Sequence, residues 1–396
     1  MLRLSSRRAA VALSAGATVL AVGAAALPAQ AAAIPGWRIN TTVQARNRIS
    51  EFFSVDAVSA RDAWSAGITA TTNGDKLQTL IRHWNGKSWT AVSLPAKVAT
   101  AWNKAEPLDA QVGASSPSNV WIFGGIASSY LRLNGTRWSV GHLPGPSASS
   151  GKELEIEAVR VFSKSSVWAF GGIVNFAAAQ PTTTPYAAHF NGRRWSVTAV
   201  PGDSAITSAS AASGTSIWAV AGTGEGITAV AGGPVGKQLV LHWGPKGGWQ
   251  EVAQPALPAG GKLAGVTLEA GHVVVAGSVP NGRKGRSPLL VTWNGKAWSA
   301  PSVPGASPTK WSIAAVASDG RGGTWVVGFH ESGNPGKLWH VVAGKWAAVQ
   351  PAFGKHAWLL WQLAAVPHTD SVWGAGALKV GKSAVGLIAL AGPSPR

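Results

Sequence analysis

The chain has 396 residues, 21 tryptophans, no cysteine, and 34 Lys and Arg against 16 Asp and Glu, a formal charge of +18. The lack of cysteine excludes disulfides, thiolate-bound metals and a lipid-anchored lipoprotein. Charged residues make up only 13% of the chain, so the positive excess comes from scarce acids rather than abundant bases.

Residues 1–31 read as an export signal. Arg3, Arg7 and Arg8 form a basic start, an Ala-rich apolar run follows, and Ala29-Gln30-Ala31 supplies a small-residue cleavage site. The Arg7-Arg8 pair leaves both the general and the twin-arginine routes open. No second apolar stretch is long enough to span a membrane. The expected product is a secreted chain, extracellular or held at the cell wall, with residues 32–396 forming a single domain.

Gly36 to Asn40 reads as a strand with no unit before it. Phe53 to Ala60, Ala63 to Thr69, Leu77 to Trp84 and Ser88 to Leu94 then read as four strands, with Asn85-Gly86 as the hairpin turn before the last. This unit repeats. Trp64, Trp121, Trp168, Trp218, Trp325 and Trp373 each stand three residues ahead of a Gly or Ala, and Val274 fills the one gap. Trp89, Trp138, Trp195, Trp249, Trp298 and Trp346 each follow a Gly-containing turn. Four short strands every fifty or so residues predict a β-propeller. Seven copies of the first position against six of the second predict seven blades, the last closed by the N-terminal strand around Trp37. That closure pairs both free edges, and a monomer is expected.

The segment Arg82-His83-Trp84-Asn85-Gly86-Lys87-Ser88-Trp89 and the diglycines Gly124-Gly125 and Gly171-Gly172 resemble kelch repeats, and more closely the tryptophan-rich, kelch-like propellers of secreted bacterial proteins. The resemblance covers essentially the whole mature chain and implies the fold. One activity it brings in, copper-radical galactose oxidation, needs a cysteine crosslinked to a tyrosine and is ruled out here.

Two sets of residues are candidates for binding. Lys87, Arg137, Arg194, Lys246, Lys296 and Lys345 all sit in the turn before the second tryptophan, so the ring gathers them into a basic crown on one rim. Such a crown serves solubility and edge protection, or attracts anionic surface polymers. Phe53, Trp311 and Trp361 align at the start of the inner strands of three neighbouring blades. With Trp102, Trp358, Lys104, Lys310 and Lys355 nearby, they either pack between strands or form a stacking platform for a sugar. The acids near the inner strands, Glu51, Asp56, Asp109, Glu153, Glu155 and Glu157, read as solvated loop edges. His83, His189 and His242 share a repeat position a blade apart, too far for one metal.

No nucleophile, base and orienting group fall together. The expectation is therefore a non-enzymatic binding module without a cofactor, for a glycan, an anionic cell-wall polymer or a protein partner. The alternative is a propeller hydrolase or lyase acting on a polysaccharide. Nucleic acid is disfavoured by export and by the lack of a known motif.

Overall fold

The computed structural model describes residues 36–44, 48–71, 76–104, 108–124, 128–179, 181–222, 237–282, 285–304, 310–330, 336–381 and 383–395. The expected export signal lies outside them. Seven antiparallel sheets form the blades. Their inner strands are Arg48–Ser59, Gln111–Ser116, Lys152–Ser163, Ile206–Ser213, Lys262–Glu269, Trp311–Ser318 and Ala357–Ala365, for blades 1 to 7. Each inner strand packs on the next, and the seventh on the first, so the ring is closed. No described helix is long and apolar enough to cross a membrane.

Blade 7 is completed from the other end of the chain. Trp37–Val43 pairs antiparallel with Ser383–Ala391, from Trp37 opposite Ala391 to Val43 opposite Gly386. Blade 5 departs from the four-stranded pattern. Its sheet has three strands, and the outer edge is reduced to two isolated bridges, Leu290 to Ser302 and Trp293 to Trp298.

The two tryptophan series have one physical cause. The buried Trp of one blade packs edge-on against the outer-strand Trp of the next: Trp64 on Trp138, Trp121 on Trp195, Trp168 on Trp249 and Trp373 on Trp89, at 5.1 to 6.4 Å. Trp37 plays the outer-strand part for blade 7, meeting Trp325 of blade 6 at 5.4 Å and 87°. Edge-on pairs contribute about 0.5–1.5 kcal/mol each beyond area burial. They hold blades together in a ring that has no disulfides.

The glycine three residues after the first Trp also has a cause. In blades 1, 3, 4, 5, 6 and 7 the register between inner and second strands slips by one residue, leaving Phe53, Glu157, Thr207, Ala264, Ala314 and Trp361 without a partner in the ladder. Such a bulge bends the strand. The bend presses the inner-strand carbonyl onto the facing residue: a Cβ at Gly67 would lie 1.9 Å from the Glu51 oxygen, and one at Gly171 1.7 Å from the Glu155 oxygen. Glycine avoids that clash at Gly67 and Gly171, while blade 4 carries Ala221 at the matching site.

Candidate functional site

All six unpaired bulge residues line one cavity of about 850 Å³ along the ring axis. Blades 4 to 6 contribute Thr207, Ala264 and Ala314, which leave room, whereas blades 7 and 1 contribute Trp361 and Phe53. Phe329 joins this wall, its ring 6.3 Å from that of Trp361. The cavity is lopsided, aromatic on one side and small-residue on the other.

Just beyond the bulge, side chains fasten neighbouring inner strands. The Ser54 hydroxyl donates to Ala110 O at 2.7 Å and accepts from Val112 N at 2.9 Å. The Ser208 hydroxyl accepts from Val266 N, and Gln362 Oε1 from Val55 N. Deeper, Asp56 accepts from Ala114 N at 2.8 Å, and Arg160 donates to Val159 O and Ala209 O. Burial raises the Asp56 pKa against the lowering pull of these hydrogen bonds and of Arg160. These inner-strand edges are thus satisfied within the ring, as buried backbone groups must be.

The mouth is acidic. Glu51 and Glu155 stand two residues ahead of the bulge in blades 1 and 3, and Asp109, in the blade between, lines the cavity. Glu51 accepts a hydrogen bond from Trp361 Nε1. Glu155 is 9% exposed and accepts no hydrogen bond from any described residue. Burial first, then the charges of Glu153 and Asp109, push its pKa up to about 7. Burial likewise raises Glu51 and Asp109. The expectation of solvated loop edges is corrected for Glu155, which is buried, and for Asp56, Asp109 and Glu157, which line the cavity, whereas Glu153 is exposed as expected. No described Lys or Arg lies within ion-pair distance of Glu51, Asp109 or Glu155, and no described acids are grouped to hold a metal ion.

The sequence-predicted aromatics part company. Phe53 and Trp361 do share the bulge position. Trp311 does not, because the bulge of blade 6 falls at Ala314 and the turns between inner and second strands differ in length. Trp311 instead packs on Trp339 at 5.6 Å and is buried. Trp102 is fully buried in a short helix, Ala96–Asn103, and donates to Thr79 Oγ1 at 2.6 Å. Trp358 is buried edge-on against Phe353. Lys104, Lys310 and Lys355 are exposed, and none lines the cavity. The imagined mouth of cations is therefore a mouth of carboxylates.

The turn residues Lys87, Arg137, Arg194, Lys246, Lys296 and Lys345 are all exposed on the opposite rim. Acids on that rim are occupied: Asp62 meets His83 at 2.9 Å, Asp319 meets His340 at 2.6 Å, Asp370 pairs with Arg321, and Glu269 accepts from Ser318 and Gly322. The histidine series was read one member short. His83, His189, His242 and His340 each lie against the first-series Trp of their own blade, at 4.2 to 4.7 Å, and each bonds an Asp or Ser. They are structural posts.

No protein-family model and no curated protein sequence matches the chain. Solved structures do match it in fold. One is an ulvan lyase, a polysaccharide lyase, at 10% identity and a TM-score of 0.55, covering 88% of this chain and 95% of that one. Another is a puromycin hydrolase, at 12% identity and a TM-score of 0.51, covering 83% of this chain and 50% of that one. At such identities the likeness shows the propeller alone. It does overturn the expectation that the chain is no enzyme, since enzymes are built on this fold and the fold gives no ground for excluding catalysis.

Proposed function

We propose that the protein is a secreted, kelch-like propeller that holds an anionic cell-wall polymer on its turn rim. One observation carries the reading: six blades each present an exposed base at the same turn, while the acids of that rim are buried or paired. Repeated bases on a rigid ring match a polyanion with repeating charge and raise its local concentration. The tandem tryptophan pairs agree with the tryptophan-rich, kelch-like resemblance. The test is retention on teichoic-acid-bearing cell walls and on heparin. The wild type should elute with moderate salt, because exposed charges are screened within about 8–10 Å. Replacing Lys87, Arg137, Arg194, Lys296 and Lys345 by Gln should abolish retention at low salt. Equal retention of the two forms would leave the crown to solubility.

A second reading has one specific observation in its favour. Glu155, titrating near 7, stands within the field of Asp109, and a raised acid near a second carboxyl is the arrangement that glycoside cleavage uses. Release of new reducing or unsaturated ends from wall polysaccharides, lost in Glu155→Gln, is its test.

A further inference from the structure

We infer that the acidic mouth of the central cavity is a binding site for an organic ammonium group, caged by Trp361, Phe53 and Phe329 and neutralised by Glu51, Asp109 and Glu155. The inference is independent of the turn rim, which carries the opposite charge.

Three observations converge. The first is position. Asp109 lines the cavity, and Glu51 and Glu155 are equivalent residues of the flanking blades 1 and 3, each two positions ahead of a bulge residue, Phe53 or Glu157, that lines it. The second is an orphan. Glu155 is nine-tenths buried and has neither a hydrogen-bond donor nor a cation among the described residues, in a chain with a net charge of +18. Its oxygens are not among the fully enclosed polar atoms, so the carboxylate stays open to an incoming cation, which would offset the cost of its partial desolvation. The third is the aromatic wall. Trp361 is partly exposed, its indole N–H holds Glu51, and Phe329 and Phe53 complete the lining. A cation beside both ring faces and carboxylates gains from each.

The geometry also says which cation. The described acids do not converge as metal ligands do. A bulky ammonium needs only diffuse negative charge and apolar walls, and the cavity of about 850 Å³ accommodates one together with the molecule that bears it. The charges facing Glu155 are Glu153 on its own strand and Asp109. The strands packed against it, Gln111–Ser116, Asn119–Phe123, Ser166–Asn175 and Ile206–Ser213, bring no charged residue. The one base at the equivalent level, Lys262, stands in blade 5, two blades from Glu155.

Calorimetric titration of the whole mature chain tests this with choline, with its uncharged carbon isostere dimethylbutanol, and with spermidine. Choline and spermidine should bind and the isostere should not. A tighter choline points to the rings as the main contribution, and a tighter spermidine to the acids. Binding of either should strengthen from pH 5.5 to pH 8, as Glu155 gains its charge, and Glu155→Gln should remove that dependence. Trp361→Ala should weaken choline binding about tenfold. Glu51→Gln keeps an acceptor for Trp361 and should weaken both ligands while leaving the melting temperature unchanged, so a loss of fold in Trp361→Ala does not shelter the inference. Equal binding of the isostere and choline, or no binding of either ammonium at pH 8, overturns it.

Discussion

Trp37→Ala tests the closure of the ring at its most consequential residue. Trp37 is 1% exposed, lies edge-on to Trp325 and opens the strand that pairs with Ser383–Ala391. Truncating a buried aromatic to Ala costs about 3–5 kcal/mol. No hydrogen bond is lost with it, because its indole N–H meets no acceptor. An unfolding entropy of roughly 2.1 cal/mol/K per residue, over about 360 residues, amounts to about 0.8 kcal/mol/K, so the melting temperature should fall by about 4–6 °C. Trp37→Phe keeps a ring in place and should cost under about 1.5 kcal/mol, or roughly 2 °C. Scanning calorimetry of both variants gives the order. A double-mutant cycle with Trp325→Ala should return a coupling of about 0.5–1.5 kcal/mol for the edge-on pair. A Trp37→Ala protein that melts within a degree of the wild type, or a coupling near zero, would refute the idea that this contact seals the ring.

Gly171→Ala should lower stability by about 1–3 kcal/mol, since its Cβ would meet the Glu155 carbonyl, while Ala221→Gly, at the matching site of blade 4, should not gain stability. Thermal melts decide this one. The raised pKa of Glu155 makes its contribution fully present below about pH 4.5 and lost as pH rises through about 7. Glu155→Gln should therefore be more stable than the wild type at pH 8, by roughly 1–3 kcal/mol, with the gap closing by pH 4.5. Urea midpoints that differ equally at both pH values would contradict it. Asp319 runs the other way. Burial raises its pKa, but the hydrogen bonds from His340 and from the backbone of Arg321 and Gly323 outweigh burial and lower it. Its contribution is present above about pH 3.8 and lost below, so the deficit of Asp319→Asn, about 1.5–3 kcal/mol, should stay constant from pH 8 to pH 5 and shrink under more acid conditions.

The fold was legible because its determinants repeat. Seven copies of the first tryptophan position against six of the second pointed to the closing strand at Trp37, and Trp37 does meet Trp325 of blade 6. The site was less legible because its determinants do not repeat. Trp311 was placed with Phe53 by counting from the strand's start, whereas the bulge is fixed by the distance back from the paired Trp, which put Ala314 there instead. A usable signal existed: the residue eleven or twelve before the Trp is the one that faces the axis in blades 1, 3, 4, 6 and 7. Read that way, Glu157 and Thr207 join Phe53 and Trp361, and Glu51 and Glu155 fall at one level. Burial of Glu155 could not be read at all, since it depends on how far the bulge tilts the strand.

The two ends of the ring are electrically separate, and this lets one chain carry both a basic rim and a cationic ligand. From Glu155 to Ser163, at the turn end of the same strand, the chain climbs eight residues, roughly 26 Å at about 3.3 Å each. That is about three screening lengths at physiological salt. The crown therefore neither neutralises the mouth acids nor repels an ammonium arriving there, although the molecule as a whole is strongly positive. The mouth acids stand at the axial end of the ring, Asp109 in the cavity lining and Glu51 and Glu155 at the strand starts beside it, partly desolvated by burial. The bases sit in the open turns, where only their number makes them effective. A polyanion on the rim and an ammonium in the mouth should consequently bind without competing. Saturating heparin should leave the choline affinity unchanged at physiological salt, and should begin to tighten it only as the ionic strength falls to about 0.01 M, where the screening length grows to about 30 Å.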